Sequence, residues 1–582
     1  MSRDPASVSR RRVWGLALAL ATAACASAPG LFPAVWPYAA DVEPVSARSA
    51  MVVTTDDFAT EVGVEVLRGG GNAIDAAVAV HFALAVVNPA AGNIGGGGFM
   101  VARLADGTLA ALDFREKAPL AATRDMFLDA RGELTNRSLV GHLASGVPGS
   151  VMGMWEAHQR YGTLPWADLV APAVRLAGGF EIHDRFFNWL SSGSVRALSG
   201  FPASAAQFLP RRGRPPEVGD IFRQLDLAAT LERIRDRGPD GFYRGETADL
   251  IVAEMERGGG IITHEDLTSY EAVWREPLSF GYRGHTVVSM PPSSSGGATM
   301  AEIANILERF DLGALGFQSP EAIHLYAEAW KRAYADRNEY LADPDFVDVP
   351  LERLTSAEYA AVRASTISLT SATPASEVTP GLEEARQESP ATTHYSILDA
   401  LGNAVVITTT LNSLFGNKVT VAGAGFLLNN EMDDFSALPG SPNQFGLVQG
   451  ERNAIEPGKR MLSAITPTIV LAPGGSVRIL TGTPGGSTII TTVFQTISNV
   501  LDFDMDVVQA VHAPRVHHQH LPDQIYYERG GLPATAVRAL EALGHTVVER
   551  NGMSGDVQMI LVRDTLVTAW SDPRRGGSAM GF

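Results

Sequence analysis

Thr392 heads the run Thr392-Thr393-His394-Tyr395-Ser396-Ile397-Leu398. A threonine hydroxyl attacks a carbonyl only when a base stands beside it. If the peptide bond between Ala391 and Thr392 is cut, Thr392 carries its own base, an α-amine with a pKa near 8 that can take the proton from the hydroxyl of the same residue. By pattern alone the same run is a strand after a loop. Arg115, in Leu112-Asp113-Phe114-Arg115-Glu116, offers a planar guanidinium that can grip a carboxylate through two bonds, although a lone Arg is ordinarily a surface ion pair. Glu431, Asp433 and Asp434 are carboxylates for a metal or plain water, and no His or Cys is spaced to complete a metal shell. In Thr481-Gly482-Thr483-Pro484-Gly485-Gly486-Ser487, backbone N–H groups at a helix start can hold an oxyanion; the pattern is equally a turn. His512, His517, His518 and His520 fall in a proline-interrupted stretch that reads as a loop rather than a metal centre. The glycines of residues 92–98 lack the Lys-Ser/Thr of a phosphate loop and read as close backbone packing or a turn into a strand.

Elements must position these groups. Thr392, His394, Ser396 and Leu398 share one strand face, and Thr393, Tyr395 and Ile397 the other. Asp399-Ala400-Leu401-Gly402-Asn403 is a turn cluster, and Ala404 to Asn412 is a second β-prone run, so the two runs form a hairpin. If Leu398 pairs with Ala404, Thr410 lies opposite Thr392. Residues 379–390 are polar, charged and proline-bearing, an exposed connector. Residues 56–69 read as a helix capped by Asp56 or Asp57 and stopped by glycines. Residues 72–84 are apolar nearly all round, hence a buried helix ending near Asn88-Pro89. Residues 146–180 and 222–256 carry helical periodicity. The helix around residues 323–341 is amphipathic, with Lys331, Arg332, Asp336, Arg337 and Glu339 on a charged face. Residues 425–430 read as a buried strand directly before the carboxylates.

The chain has 582 residues, 45% of them apolar, which is enough for a large core. Its net charge of −18 argues against nucleic acid, whose phosphates call for a basic footprint. Arg10-Arg11-Arg12 followed by an apolar run to Ala24 and by Ala26-Ser27-Ala28 is the pattern of an export signal over residues 1–28, with a weak likeness to a twin-arginine signal. The run is too short to span a bilayer, and no second hydrophobic span follows. Cys25 is the single cysteine, which excludes an intrachain disulfide. Its setting resembles a lipoprotein acylation site, but Thr22 stands where Leu is usual.

Thr392-Thr393-His394-Tyr395-Ser396, Gly402-Asn403-Ala404-Val405 and Thr410-Leu411-Asn412 together resemble the small-subunit start of the γ-glutamyltransferases. These are N-terminal-nucleophile hydrolases made as one chain and cut autocatalytically at that threonine. The similarity extends through residues 72–98, 112–119 and 290–297, the carboxylate segment, Leu462-Ser463, the Gly-Gly turn and Ser571-Asp572-Pro573-Arg574. It implies an α+β fold, the four-layer αββα sandwich of two stacked antiparallel sheets, agreeing with helical early and strand-rich late sequence. It further implies a large subunit of residues 29–391 and a small subunit of 392–582, interleaved into one heterodimeric domain. Thr392 would be the nucleophile, oriented by Thr410, with Gly485 and Gly486 holding the oxyanion. Arg115 and Ser463 would bind the substrate α-carboxylate, and Asn412, Glu431 and Asp434 its α-amino group. The substrate would be glutathione or another γ-glutamyl compound, the acceptor water or an amino acid or peptide, with no cofactor and no metal. Two positions depart from the family: Ala464 replaces a second serine, and Phe445 replaces the tyrosine common in the lid of bacterial members. Ala464 favours, as an alternative, a cephalosporin or glutaryl acylase of the same superfamily. A non-catalytic exported binding protein is the alternative from another class, distinguished by whether the chain splits.

Overall fold

The structure is a computed structural model describing residues 30–38, 41–190, 192–381, 386–388, 392–441, 444, 446–550, 552 and 554–582. The expected signal segment with Cys25, Ala391 at the expected cleavage site and Phe445 of the expected lid lie outside the described residues.

Two seven-stranded antiparallel sheets form the centre. The first runs Ser578–Gly581, Met51–Thr54, Thr393–Leu398, Ala404–Thr410, Gly97–Arg103, Leu109–Asp113, Val273–Arg275. The second runs Val45–Ala47, Leu566–Ser571, Gln558–Arg563, Val477–Thr481, Thr468–Leu471, His285–Ser289, Leu278–Tyr282. Both sheets combine segments from before and after Thr392. The strand period of two sorts their faces. In the first sheet Val52, Met100, Ile397, Val405 and Ile407 point to a helical layer containing Asp57–Arg68, Ala73–Val87, Trp166–Gly178 and Leu225–Arg237. Val53, Val101, Leu398 and Val406 point inward, into a core shared with Val288, Ile469, Leu480 and Ile560 of the second sheet. Helices Gly296–Leu307, Pro320–Tyr340 and Thr488–Leu501 contribute to that same apolar cluster and cover the second sheet. This is the expected four-layer α+β sandwich.

The hairpin register is the expected one: Leu398 pairs with Ala404 and Thr393 with Thr409, so Thr392 meets Thr410. Asp56 caps the first helix and Gly69 ends it. Every residue of Ala73–Val87 is buried, and Asn88 ends that helix. The glycine run is close packing. A Cβ on Gly96 would stand 2.0 Å from the Thr410 carbonyl oxygen, and one on Gly98 would stand 2.4 Å from that of Thr408.

Two expectations need correction. Residues 425–430 are buried but form no strand. A single bridge joins Leu427 to Thr420, while the Asn429 N–H goes to Gly95 and that of Asn430 to Leu411. With its backbone partners scattered over three segments, no ladder can form. The charged side of Pro320–Tyr340 is covered, not solvated: Lys331, Arg332, Asp336 and Arg337 are all buried. Arg332 pairs with Glu328 at 2.7 Å, Asp336 with Arg363 at 3.1 Å, and Arg337 donates to Ser295 Oγ at 2.9 Å. Among the described residues no helix is long and apolar enough to cross a membrane.

Candidate active site

Thr392 lies just ahead of the Thr393–Leu398 strand, with its side chain on the inward face. Behind it on that face, His394 bonds Thr408 Oγ1 at 2.7 Å and Ser396 Oγ at 3.1 Å. Burial lowers the His394 pKa to about 3, so its imidazole is neutral. The ring also fills the space beside Gly482, where a Cβ would stand 2.3 Å from it. This packing fixes the glycine turn against the nucleophile strand. Thr410 Oγ1 is 3.5 Å from Thr392 Oγ1 and accepts the Asn412 N–H at 2.7 Å. Asn412 adopts a left-handed backbone with φ of +70°, which asparagine tolerates better than most residues. Its side chain donates to the Asn430 carbonyl at 3.0 Å, tying the hairpin end to the carboxylate segment.

The turn at 482–487 joins strand Val477–Thr481 to helix Thr488–Leu501. Gly485 and Gly486 have φ of +150° and +58°, conformations open to glycine and strained for most other residues. Among the described residues neither N–H donates to another group. Unengaged N–H donors are what a developing oxyanion needs, and Gly486 shares a cavity with Thr392.

Arg115 follows strand Leu109–Asp113 and is 1% exposed. Its guanidinium meets Glu431 at 2.7 Å, Asp434 at 2.5 Å and Glu116 at 3.6 Å. Burial alone would lower its pKa, but the surrounding carboxylates, Glu431 foremost, raise it, so it stays charged. Burial pushes the Glu431 carboxyl well above the usual range against the pull of Arg115, and raises Asp434 as well. Burial drives Glu116 to about 8. Ser463 is held by loop 291–295: its N–H donates to the Ser293 carbonyl at 3.0 Å, and its carbonyl accepts from Ser295 Oγ at 2.6 Å. Thr392, Thr410, Asn412, Arg115, Glu431, Asp434, Ser463, Ala464 and Gly486 line one cavity of ≈ 20 Å³, about the space of one water. Gly485 is the residue immediately before that lining.

The family model described as gamma-glutamyltranspeptidase matches residues 59–582. The chain belongs to this family. It is 48% identical over 552 residues to a glutathione hydrolase proenzyme of Escherichia coli strain K12, covering 94% of each chain. Among solved structures it resembles a cephalosporin acylase from Bacillus halodurans, with a TM-score of 0.81 and 29% identity over 94% of this chain and 99% of that one. It also resembles the gamma-glutamyltranspeptidase of Helicobacter pylori, with a TM-score of 0.56 and 46% identity over 59% of this chain and 97% of that one.

Within this gamma-glutamyltranspeptidase site, some contributors had no distinct sequence signal. Glu116 is a fully buried carboxyl against Arg115, and nothing in its spacing marks it. Asp113 gathers Arg275 at 3.2 Å, Arg460 at 3.4 Å and Ser293 Oγ at 3.1 Å, clamping the strand end that carries Arg115. Arg337 supports Ser463 through Ser295. Asp433, next to the cavity residue Asp434, turns away to Ser138 Oγ at 2.6 Å and the Gln444 N–H at 2.9 Å. The histidine loop is structural among the described residues: His517 bonds Thr491 at 2.7 Å and His520 bonds the Ala375 carbonyl at 3.0 Å.

Proposed function

We propose that this γ-glutamyltransferase and glutathione hydrolase cuts its own Ala391–Thr392 bond, and that the freed α-amine of Thr392 then serves as the base for its hydroxyl. Thr392 Oγ attacks the γ-carbonyl carbon of the donor while its proton passes to the α-amine. Thr410 orients the hydroxyl, and the Gly485 and Gly486 N–H groups hold the tetrahedral oxyanion. Collapse expels the amine with that proton and leaves a γ-glutamyl ester on Thr392. Water or an acceptor amine then attacks the ester carbonyl and regenerates the hydroxyl. No cofactor or metal enters these steps.

The zwitterionic head of the donor replaces contacts the site residues make with one another. Arg115 now pairs with Glu431 and Asp434. A bound α-carboxylate takes Arg115 and Ser463, and the α-ammonium takes Glu431, Asp434 and Asn412. The observation that supports this reading best is the convergence on one cavity of a hydroxyl, the unengaged N–H of Gly486 and charges of both signs. A glutaryl acylase reading is favoured by Ala464, but a glutaryl head has no ammonium to neutralise Glu431 and Asp434. Export through residues 1–28 to the periplasm, by cleavage after Ala28 or by lipidation at Cys25, belongs to the same proposal.

Mass spectrometry of purified protein is expected to show two chains, the second beginning at Thr392. Thr392→Ala is expected to leave one chain inactive toward γ-glutamyl-p-nitroanilide. Turnover by an uncut chain, or by that variant, would remove Thr392 from its role.

A further inference from the structure

The two charged ends of the proposed donor head fall to separate segments of the chain. Residues 431–435 carry Glu431 and Asp434, residues 460–466 carry Ser463, and all three side chains line one cavity. A side chain behind that lining reaches both segments. Asn453 closes the short helical turn Glu451–Asn453 and is 1% exposed. Its Nδ2 donates to the Asp434 carbonyl at 2.7 Å and to Gln449 Oε1 at 2.6 Å. Its Oδ1 accepts the N–H of Leu462, the residue before Ser463, at 3.0 Å. The Asn453 main-chain carbonyl accepts the Ser436 N–H at 2.8 Å, which fastens the far end of the carboxylate segment to the same residue.

These contacts call for an amide. Asp434 presents a carbonyl and Leu462 an N–H, both main chain, so the side chain between them must donate at one atom and accept at the other. Aspartate would set an oxygen against the Asp434 carbonyl, and alanine would leave the buried Leu462 N–H without its acceptor. Gln449 reinforces the arrangement, its Nε2 donating to the same Asp434 carbonyl at 3.3 Å. Arg115 also spans the two segments, through the Met461 carbonyl at 3.4 Å and Asp434 at 2.5 Å. On the proposed reading a donor carboxylate takes Arg115, and its hold on Asp434 is given up at binding. Asn453 does not line the cavity, so its bonds persist when the donor enters.

We infer that Asn453 is a positioning residue that fixes the separation between the ammonium-binding and carboxylate-binding halves of the donor site. It thereby selects ligands that carry both groups on one carbon. A ligand with a single charged end at the head can follow whichever half it binds. A zwitterionic head cannot stretch to follow both. This inference rests on the γ-glutamyl reading and adds what sets its head-group specificity.

The test measures inhibition of γ-glutamyl-p-nitroanilide hydrolysis by glutamate, by 4-aminobutyrate, which lacks the α-carboxylate, and by glutarate, which lacks the ammonium. In the unaltered, self-cut protein glutamate is expected to inhibit most tightly. Asn453→Ala is expected to raise the glutamate Ki and the nitroanilide KM about tenfold, with the other two Ki values changed less than about twofold and kcat within about threefold. Asn453→Asp, nearly equal in shape, is expected to give the same pattern. Ki values that stay unchanged or rise together in either variant that is cut and active would overturn the inference, because a loss of ordinary packing does not sort ligands by charge. So would failure of both variants to fold and self-cut, which would assign Asn453 to the fold alone. An unaltered protein that binds the three ligands equally would strike the donor reading, and the inference with it.

Discussion

On the proposed reading, Glu431 illustrates how a substrate-binding residue is charge-balanced by its neighbours. Buried beside Arg115 at 2.7 Å, it has a cation to answer its charge, and the donor ammonium would take that place. Glu431→Gln keeps the shape and removes the charge. It is expected to raise the KM for γ-glutamyl-p-nitroanilide about tenfold or more while self-cleavage proceeds, because a bond to a charged group contributes roughly 1.5–3 kcal/mol. An unchanged KM would dismiss the ammonium role. Ala464, in the same cavity, gives the opposite case: Ala464→Ser restores a hydroxyl toward the donor carboxylate and is expected to lower that KM, with no fall if the position does not face the ligand. Glu116 bears on stability instead. Its native pKa of about 8 stands above the ordinary carboxylate value, so between roughly pH 4.5 and 8 the folded state holds a proton the unfolded state has lost. Stability from this group therefore declines as pH rises through that window. Glu116→Gln should flatten the decline, measured as apparent Tm at pH 5 and pH 8; a parallel decline would exclude Glu116 as its source.

At the scale of elements, close approach of backbones sets the site. The Gly95-Gly96 turn lies against the end of the hairpin, and Gly96→Ala would drive a Cβ into the Thr410 carbonyl, which is main chain and cannot step aside. The variant is expected to lose on the order of a hundredfold in kcat through displacement of Thr410; full kcat with normal self-cleavage would refute that. Glycines as packing, the hairpin register and both early helices were legible because each depends on neighbours close in sequence: a cap, a turn, a period. The elements that were not legible depend on distant partners. Residues 425–430 have the composition of a strand but divide their backbone bonds among Gly95, Val419 and Leu411. Pro320–Tyr340 has an evident charged side, yet periodicity cannot tell that Asp523, Arg363 and Ser295 will cover it. The proposed site residues come from motif resemblance, whereas Glu116, Asp113 and Arg337 act through contacts no local pattern announces.

At the scale of the molecule, both sheets draw strands from each side of Thr392. The two products of the proposed cut therefore share both sheets and the core between them, and gel filtration under native conditions should keep them in one peak that only denaturant divides. Separate native peaks would contradict the shared core. The strand that follows Thr392 is the third of seven, paired on one edge with Met51–Thr54 and on the other with Ala404–Thr410, and beneath it His394 packs against the glycine turn of the second sheet. Of these neighbours, Met51–Thr54 is in place only once chain regions hundreds of residues apart have met. On the proposed cut, then, scission serves the cell as a ripeness mark: a precursor band on a gel counts the molecules whose centre has not yet closed, with no probe of folding added.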